Sequence, residues 1–509
     1  MILIFYEKFK ACEILLIVKF HRLFKVEVGF VPASFFFYVF FLYYNLSSWA
    51  SYVGGVVKVP WKKSSNKLVT PFQVLVSYYF IAIAISFLLL RLPGVHQEGV
   101  KVSFLDSLFT AVSAVSVTGL TTINISETYT TFGLVMILVI LQLGAIGIMS
   151  LGTFVWLLVG KKIGMRERQL IMIDHNQYSV SGVVKLIREI LKILFGIELT
   201  GTIILTLHFT NYFDTLEEAF LHGIFASISA TTNGGFDITG MSLLPFHDDY
   251  FVQMVTMVLI VLGAIGFPVL IELKTFLLNR RENFRFSLFT KITTSTYAIL
   301  FIVGALVILL LESFHSFKEM SWHEALFSAM FHSVSTRSAG LTTYDVTTFS
   351  EATDIFMSFL MFIGSSPSSV GGGIRTTTFA LAILFLITFA RGREDIQVFG
   401  REIHLIDVFR SFVVILLAFF MVLVATLILL ITEPHASLIQ IIFEITSAFG
   451  TCGMSLGITS DLSVVGKIII IILMFIGRVG LISFLYTLGG GGRGKKSGFH
   501  YPKERVIIG

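Results

Sequence analysis

Cysteine is nearly missing from this chain: Cys12 and Cys452 are the two among 509 residues, so neither a disulfide framework nor a cysteine-rich metal cluster organises the fold. Charged residues make up only 14%, too few to clothe a water-soluble protein of this length. No zinc-ligand spacing, lysine-terminated phosphate loop or nucleophile motif is present. Gly371-Gly372-Gly373 runs into Ile374-Arg375 and is not a Walker sequence. No small-residue cleavage site follows a clean apolar core near Met1, which argues against a cleaved signal peptide. With enzyme chemistry thus disfavoured, what remains is apolar: 55% hydrophobic residues, 52 Phe and a mean hydropathy of +0.87. Such a chain is an integral membrane protein.

One short pattern occurs four times. Phe109 and Ser113 lead to Val117-Thr118-Gly119-Leu120; Phe225 and Ser229 lead to Asn233-Gly234-Gly235-Phe236. Phe331 and Ser335 lead to Ser338-Ala339-Gly340-Leu341, and Phe443 and Ser447 to Thr451-Cys452-Gly453-Met454. The interval between copies is too long for a solenoid unit and implies duplication of a whole module. Phe and Ser four residues apart share a helix face, so each copy reads as a short helix that stops before its glycine. The carbonyl-rich end of such a helix favours a cation. The glycine permits backbone angles that aim consecutive carbonyls at one point. Four such segments around an axis replace the hydration shell of an alkali cation, as in potassium-channel filters. The expected ion ligands are therefore Val117, Thr118, Gly119, Asn233, Gly234, Gly235, Ser338, Ala339, Gly340, Thr451, Cys452 and Gly453, with potassium as the metal bound.

Each copy lies between hydrophobic runs. Thr70-Pro71 supplies a helix start, and the spans expected are 71–92 and 129–159, 190–208 and 250–278, 292–311 and 353–390, and 408–431 and 463–488. This predicts an all-α polytopic membrane protein: four tandem helix/pore-loop/helix modules around one pseudo-fourfold ion pore. The modules are 66–160, 161–279, 280–391 and 392–490, preceded by an N-terminal extension, 1–65, and followed by a tail, 491–509. The extension carries a marginal apolar run at 28–44, and it reads as an extra membrane segment, an interfacial segment or the product of an early start codon. Re-entrant loops at membrane depth must be buried in protein or line a wet cavity.

The placement of basic residues sets the orientation. Lys161, Lys162, Arg166, Arg168, Lys185 and Arg188 lie in the first link, Arg280, Arg281, Arg285 and Lys291 in the second, and Arg391, Arg393, Arg401 and Arg410 in the third. The tail adds Arg493, Lys495, Lys496, Lys503 and Arg505. By the positive-inside rule the links and the C-terminus are cytoplasmic and the pore loops enter from outside. That rule accounts for the basic residues without nucleic acid, leaving membrane lipid as the expected surroundings. Acidic outer segments, with Asp214, Glu217, Asp237 and Asp345 among them, would draw cations to the mouth.

Two features break the pattern. The second helix of module three is interrupted by Gly364, Ser365, Ser366, Pro367, Ser368, Ser369, Val370, Gly371, Gly372 and Gly373, which a continuous helix does not tolerate. On the inner side of the filter this irregular stretch reads as a movable gate, the alternative being a static kink. Arg478 lies inside the last apolar span, where a cation needs a partner or water. It is expected to raise a barrier below the filter and to meet the module-three loop, the alternative being a span end that snorkels.

Taken together, the four glycine motifs, the run Ser365–Thr378, the pair Gly477-Arg478 and the tail Tyr501–Gly509 resemble the Trk/Ktr/HKT superfamily of potassium transporters. They are most similar to the membrane subunit of bacterial Ktr systems. The resemblance covers residue 66 to the end. It implies potassium uptake across the plasma membrane, here a bacterial inner membrane, with K+ as the ion, Na+ as a second transported or modulating ion, and no covalent cofactor. It also implies a homodimer on a cytosolic ring of nucleotide-binding regulatory subunits, and it makes the module-three break a gating loop. In the plant branch a serine at the first filter position accompanies sodium preference, so Gly119 points to potassium. A sodium-permeable or sodium-coupled transporter of the same superfamily is the main alternative. An alternating-access transporter would show inverted repeats with two broken helices at matching positions; the sequence shows one orientation and one broken helix.

Overall fold

In this computed structural model, residues 71–147, 182–278, 284–393 and 395–481 are described, together with Arg168 and Met172. The extension 1–65, the basic residues Lys161, Lys162, Arg166, Arg280 and Arg281, and the tail from 491 lie outside them.

The described residues are almost entirely helical. First come α1 (Pro71–Leu90), α2 (Phe104–Ser116), the single turn α3 (Ile125–Thr128) and α4 (Thr131–Ile146). Then follow α5 (Val183–Phe209), α6 (Leu216–Thr231), α7 (Tyr250–Ala264) and α8 (Phe267–Leu278). The third group is α9 (Leu288–Glu312), α10 (Trp322–Ser335), α11 (Glu351–Ile363) and α12 (Thr376–Ala390). A small hairpin, β1 (Gln397–Val398) with β2 (Arg401–Glu402), precedes α13 (Leu405–Thr432), α14 (Leu438–Gly450) and α15 (Val464–Val479).

The short helices α2, α6, α10 and α14 begin where the sequence supplies a hydroxyl. Ser103, Thr215, Ser321 and Ser437 accept from the backbone N–H three residues on, a cap that contributes about 1 kcal/mol. Ser321 with Glu324 and Ser437 with Gln440 close full capping boxes. Each short helix packs against the long helix before it, α1, α5, α9 or α13, and against a further helix: α6 on the earlier α4, α10 on the earlier α7, α14 on the earlier α11, and α2 on the last helix, α15. The last of these contacts joins the last described helix to the first short one, where Lys467 Nζ meets Asp106 Oδ1 at 2.9 Å.

Four staples tie each long helix to the start of the helix beyond its short one. Thr130 Oγ1 donates to Gly94 O at 2.7 Å, and His208 Nε2 lies 2.5 Å from Asp249 Oδ2. The Ser350 N–H donates to Glu312 Oε1 at 2.9 Å, and that of Ser463 to Glu433 Oε1 at 3.1 Å.

α1, α5, α9 and α13 are each long and apolar enough to cross a membrane. The second helices differ from the uniform spans anticipated. α7 and α8 meet at 106°, so this helix pair is broken as well as α11 and α12, correcting the expectation of a single broken helix. The cause is Gly266, held at φ +101°, where a side chain is disfavoured; Pro268 then fits the first turn of α8. α4, α11 and α15 also stop at glycines of positive φ, Gly147, Gly364 and Gly480. The rest of the predicted spans to 159 and 488 falls outside the described residues.

With lipid as solvent, close packing holds such helices together. A Cβ at Gly144 would stand 2.4 Å from Val115 O, one at Gly263 2.0 Å from Thr231 O, and one at Gly477 2.1 Å from Phe449 O. Glycine is what lets α4, α7 and α15 touch the ends of the short helices.

Candidate ion pathway

Each short helix ends in the same hydrogen-bond arrangement. Phe109, Phe225, Phe331 and Phe443 are buried, as are Ser113, Ser229, Ser335 and Ser447 one turn later. The serine carbonyl accepts from the N–H of Thr118 at 2.9 Å, Gly234 at 2.7 Å, Ala339 at 2.9 Å and Cys452 at 2.8 Å. The serine hydroxyl fixes the residues that follow, in two ways. Ser113 and Ser447 accept from the N–H of Gly119 and Gly453, both at 3.1 Å, whereas Ser229 and Ser335 donate to Phe236 O and Leu341 O, both at 2.5 Å.

With these amides turned toward the serines, the carbonyls are left over. Among the described residues no donor is bonded to the carbonyl oxygens of Val117, Thr118, Asn233, Gly234, Ser338, Ala339, Thr451 or Cys452. Buried backbone oxygens without a partner are uncommon, and eight together suit a ligand that supplies positive charge.

The four segments also touch in cyclic order. A Cβ at Gly119 would stand 2.7 Å from Gly234 O, one at Gly235 2.8 Å from Ala339 O, one at Gly340 2.3 Å from Cys452 O, and one at Gly453 2.1 Å from Thr118 O. Each glycine therefore faces the free carbonyl of the next copy, and the fourth faces the first. A cavity of about 260 Å3 opens on one side, lined by Gly119, Thr122, Asn124, Gly235, Asp237 and Ser460.

On the other side lies the 364–375 loop. A Cβ at Gly371 would stand 2.0 Å from Ser338 Oγ, and one at Gly372 2.7 Å from Thr451 Oγ1. The loop is an ordered, self-bonded structure: Ser365 N–H donates to Gly372 O at 3.2 Å, Arg375 N–H to Ile363 O at 2.9 Å, and Ser369 Oγ to Ser366 O at 2.6 Å. The bend between α7 and α8 forms a ledge for it. Ser366 N–H donates to Ala264 O at 3.1 Å, Phe267 N–H donates to Ser368 O at 2.9 Å, and Gly266 lets Pro367 O approach.

Three arginines hold the loop by its carbonyls. Arg478, buried, donates through Nη1 to Val370 O and through Nη2 to Gly144 O and, at 3.3 Å, to Ala145 O. Arg375 Nη1 donates to Ser366 O at 3.2 Å and to Gly371 O. Arg337 Nε and Nη2 donate to Gly364 O at 2.9 and 2.6 Å. The structure thus brings Arg478 to Val370 in the 364–375 loop, and the loop to Ser338 and Thr451, two of the residues expected to line a filter. Sequence reasoning missed Arg337, Arg375 and the α7–α8 ledge. The signal for the ledge was Gly263-Ala264-Ile265-Gly266, which matches Gly144-Ala145-Ile146-Gly147 and Gly477-Arg478-Val479-Gly480.

A helical bundle of apolar spans, with bare carbonyls where four short helices meet, describes a membrane transport protein. Residues 48–488 match the TrkH family model, described as cation transport protein. The chain is 54% identical over 440 residues to the Ktr system potassium uptake protein D of Bacillus subtilis, a match spanning 86% of this chain and 97% of that protein. It is 33% identical over 452 residues to the potassium/sodium uptake protein NtpJ of Enterococcus hirae, spanning 88% and 99%. Its fold is similar to that of the potassium transporter TrkH from Vibrio parahaemolyticus, with a TM-score of 0.63 at 20% identity over 86% and 89% of the two chains. The chain belongs to the TrkH family of cation transport proteins. It is a multi-span membrane transporter and not an enzyme.

Proposed function

We propose that this chain is the potassium-conducting membrane subunit of an uptake system in the plasma membrane. The observation that carries the reading is the closed cycle of glycines and free carbonyls: Gly119 against Gly234, Gly235 against Ala339, Gly340 against Cys452, and Gly453 against Thr118. Such a cycle supplies dehydrated potassium with oxygens held by the protein. The names of the B. subtilis and E. hirae relatives, which specify potassium uptake and potassium/sodium uptake, agree with it. In this reading the four tandem modules each give one quarter of the filter.

The loop from Gly364 to Gly373, seated against Ser338 and Thr451, closes the inner side, and Arg478 latches it. Opening follows when a cytosolic regulatory subunit pulls on α12, which continues from the loop. The C-terminus is cytoplasmic, and two copies form a homodimer on that regulatory ring. The test is ion flux in a host deficient in potassium uptake, measured with and without sodium. Growth and potassium flux are expected to be restored without added sodium. Restoration only when sodium is present, with sodium moving alongside, would replace this reading by the sodium-coupled one, which the potassium/sodium uptake relative favours.

A further inference from the structure

Arg337 occupies the position three before the filter glycine of module three. The matching positions hold Ser116, Thr232 and Gly450. Those residues stay local: Ser116 Oγ donates to Val112 O and Thr232 Oγ1 to Ile228 O, both at 2.7 Å, and Gly450 only makes room for Met361 O. Arg337 instead reaches away from its short helix to the carbonyl of Gly364, where α11 gives way to the loop. It is 1% exposed, and its guanidinium lies 5.1 Å from the ring centre of Tyr297. Among the described residues it has no carboxylate partner, and Nη1 has no hydrogen-bond partner. A buried cation of this kind is costly. It is found in the one module that carries the loop, next in sequence to Ser338-Ala339-Gly340.

We propose that Arg337 is a positioning residue that clamps the root of the gate loop to the module-three filter segment. The clamp lets the tip of the loop move while the filter stays in register. The root and the tip are held by different residues: Gly364 by Arg337, and Val370 by Arg478 from α15. If Gly364 moved with the tip, the guanidinium would lose the acceptor of both its hydrogen bonds. The fixed root therefore keeps 338–340 in place during opening and separates selectivity from gating.

This inference rests on the filter-and-gate reading, and the experiment tests the two separately. Potassium and sodium fluxes are measured in vesicles containing the full-length chain as parent, Arg478→Ala, Arg337→Met and Arg337→Lys at equal amounts of inserted protein. Thermal shifts of the solubilised proteins with added potassium are measured in parallel, since an ion bound only to the folded state stabilises it. Arg478→Ala is expected to raise basal flux with the parent's potassium-to-sodium ratio. Arg337→Met is expected to lower that ratio roughly tenfold, the scale of a lost charge-assisted hydrogen bond, and to shrink the potassium-dependent thermal shift. Arg337→Lys, which keeps the charge, should recover part of both. If Arg478→Ala does not raise flux, the gate reading falls. If it does, while both Arg337 variants keep the parent's ratio and thermal shift, the clamp is overturned and the gate stands. Should Arg337→Met not fold, Arg337→Lys decides by the same two readouts.

Discussion

Around Gly119, Gly235, Gly340 and Gly453 the four sequence copies behave alike: a buried serine takes the preceding amide, and each glycine faces its neighbour's carbonyl. One layer away they differ in kind. The segment between α11 and α12 supplies the loop, α7 and α8 a ledge made by a 106° bend, and α15 the arginine that reaches Val370, Gly144 and Ala145. The contrast has a physical basis. In the proposed filter a spherical ion needs ligands on every side, which holds each quarter to similar geometry. The proposed closure needs only one moving part, and the other copies are free to become its supports.

The comparison can be broken most forcefully at the ring. Gly453→Ala and Gly340→Ala would place a methyl 2.1 Å from Thr118 O and 2.3 Å from Cys452 O, and both are expected to abolish selective potassium flux. Gly119→Ser, with its Cβ 2.7 Å from Gly234 O, should leave flux but relax discrimination against sodium. An unchanged permeability ratio in Gly119→Ser would remove module one from the filter. A smaller effect is expected in the asymmetric layer. Gly371→Ala and Gly266→Ala crowd Ser338 Oγ and Pro367 O, and overpacking of this kind destabilises the seated loop by about 1–3 kcal/mol. Vesicle flux should rise without loss of selectivity, and equal flux in parent and variants would make the loop a static kink.

The smallest effect concerns the outer staple of module two, where the polarity is reversed relative to modules three and four. Burial would raise the Asp249 carboxyl, but hydrogen bonds from Tyr212, His208 and the Val252 amide outweigh it and hold the group below its ordinary 3.8. The depressed carboxylate contributes stability that is complete above the ordinary value and is lost as pH falls through the lowered one. Asp249→Ala, which also removes a helix cap worth ~1 kcal/mol, should lower thermal stability modestly at neutral pH and flatten that acid dependence. A melting curve identical to the parent's at every pH would mean that this staple, unlike the ring, carries no weight.

The uneven legibility of the sequence has the same origin. The meeting of the four glycine segments could be read because four copies repeat Phe-x-x-x-Ser and a glycine, and repetition lifts a weak signal above chance. The module-three break announced itself through Pro367 and a run of glycines. The module-two break did not, since Gly263 and Gly266 lie in an apolar run that reads as ordinary helix packing, and Pro268 is tolerated once a new helix has begun. Arg337 was hidden for a different reason. In a polar stretch beside a turn, an arginine looks like a solvated loop charge, and only its contact with Gly364, 27 residues away, gives it a role.

The contact between Gly453 and Thr118 carries a consequence for biosynthesis. The quarter of the ring made first and the quarter made last are neighbours, closed by Asp106 and Lys467 and by Arg478 on Gly144. In the proposed filter, a nascent chain that has inserted three of the four copies lacks the carbonyls of Thr451 and Cys452, so selective conduction begins only when the last copy arrives.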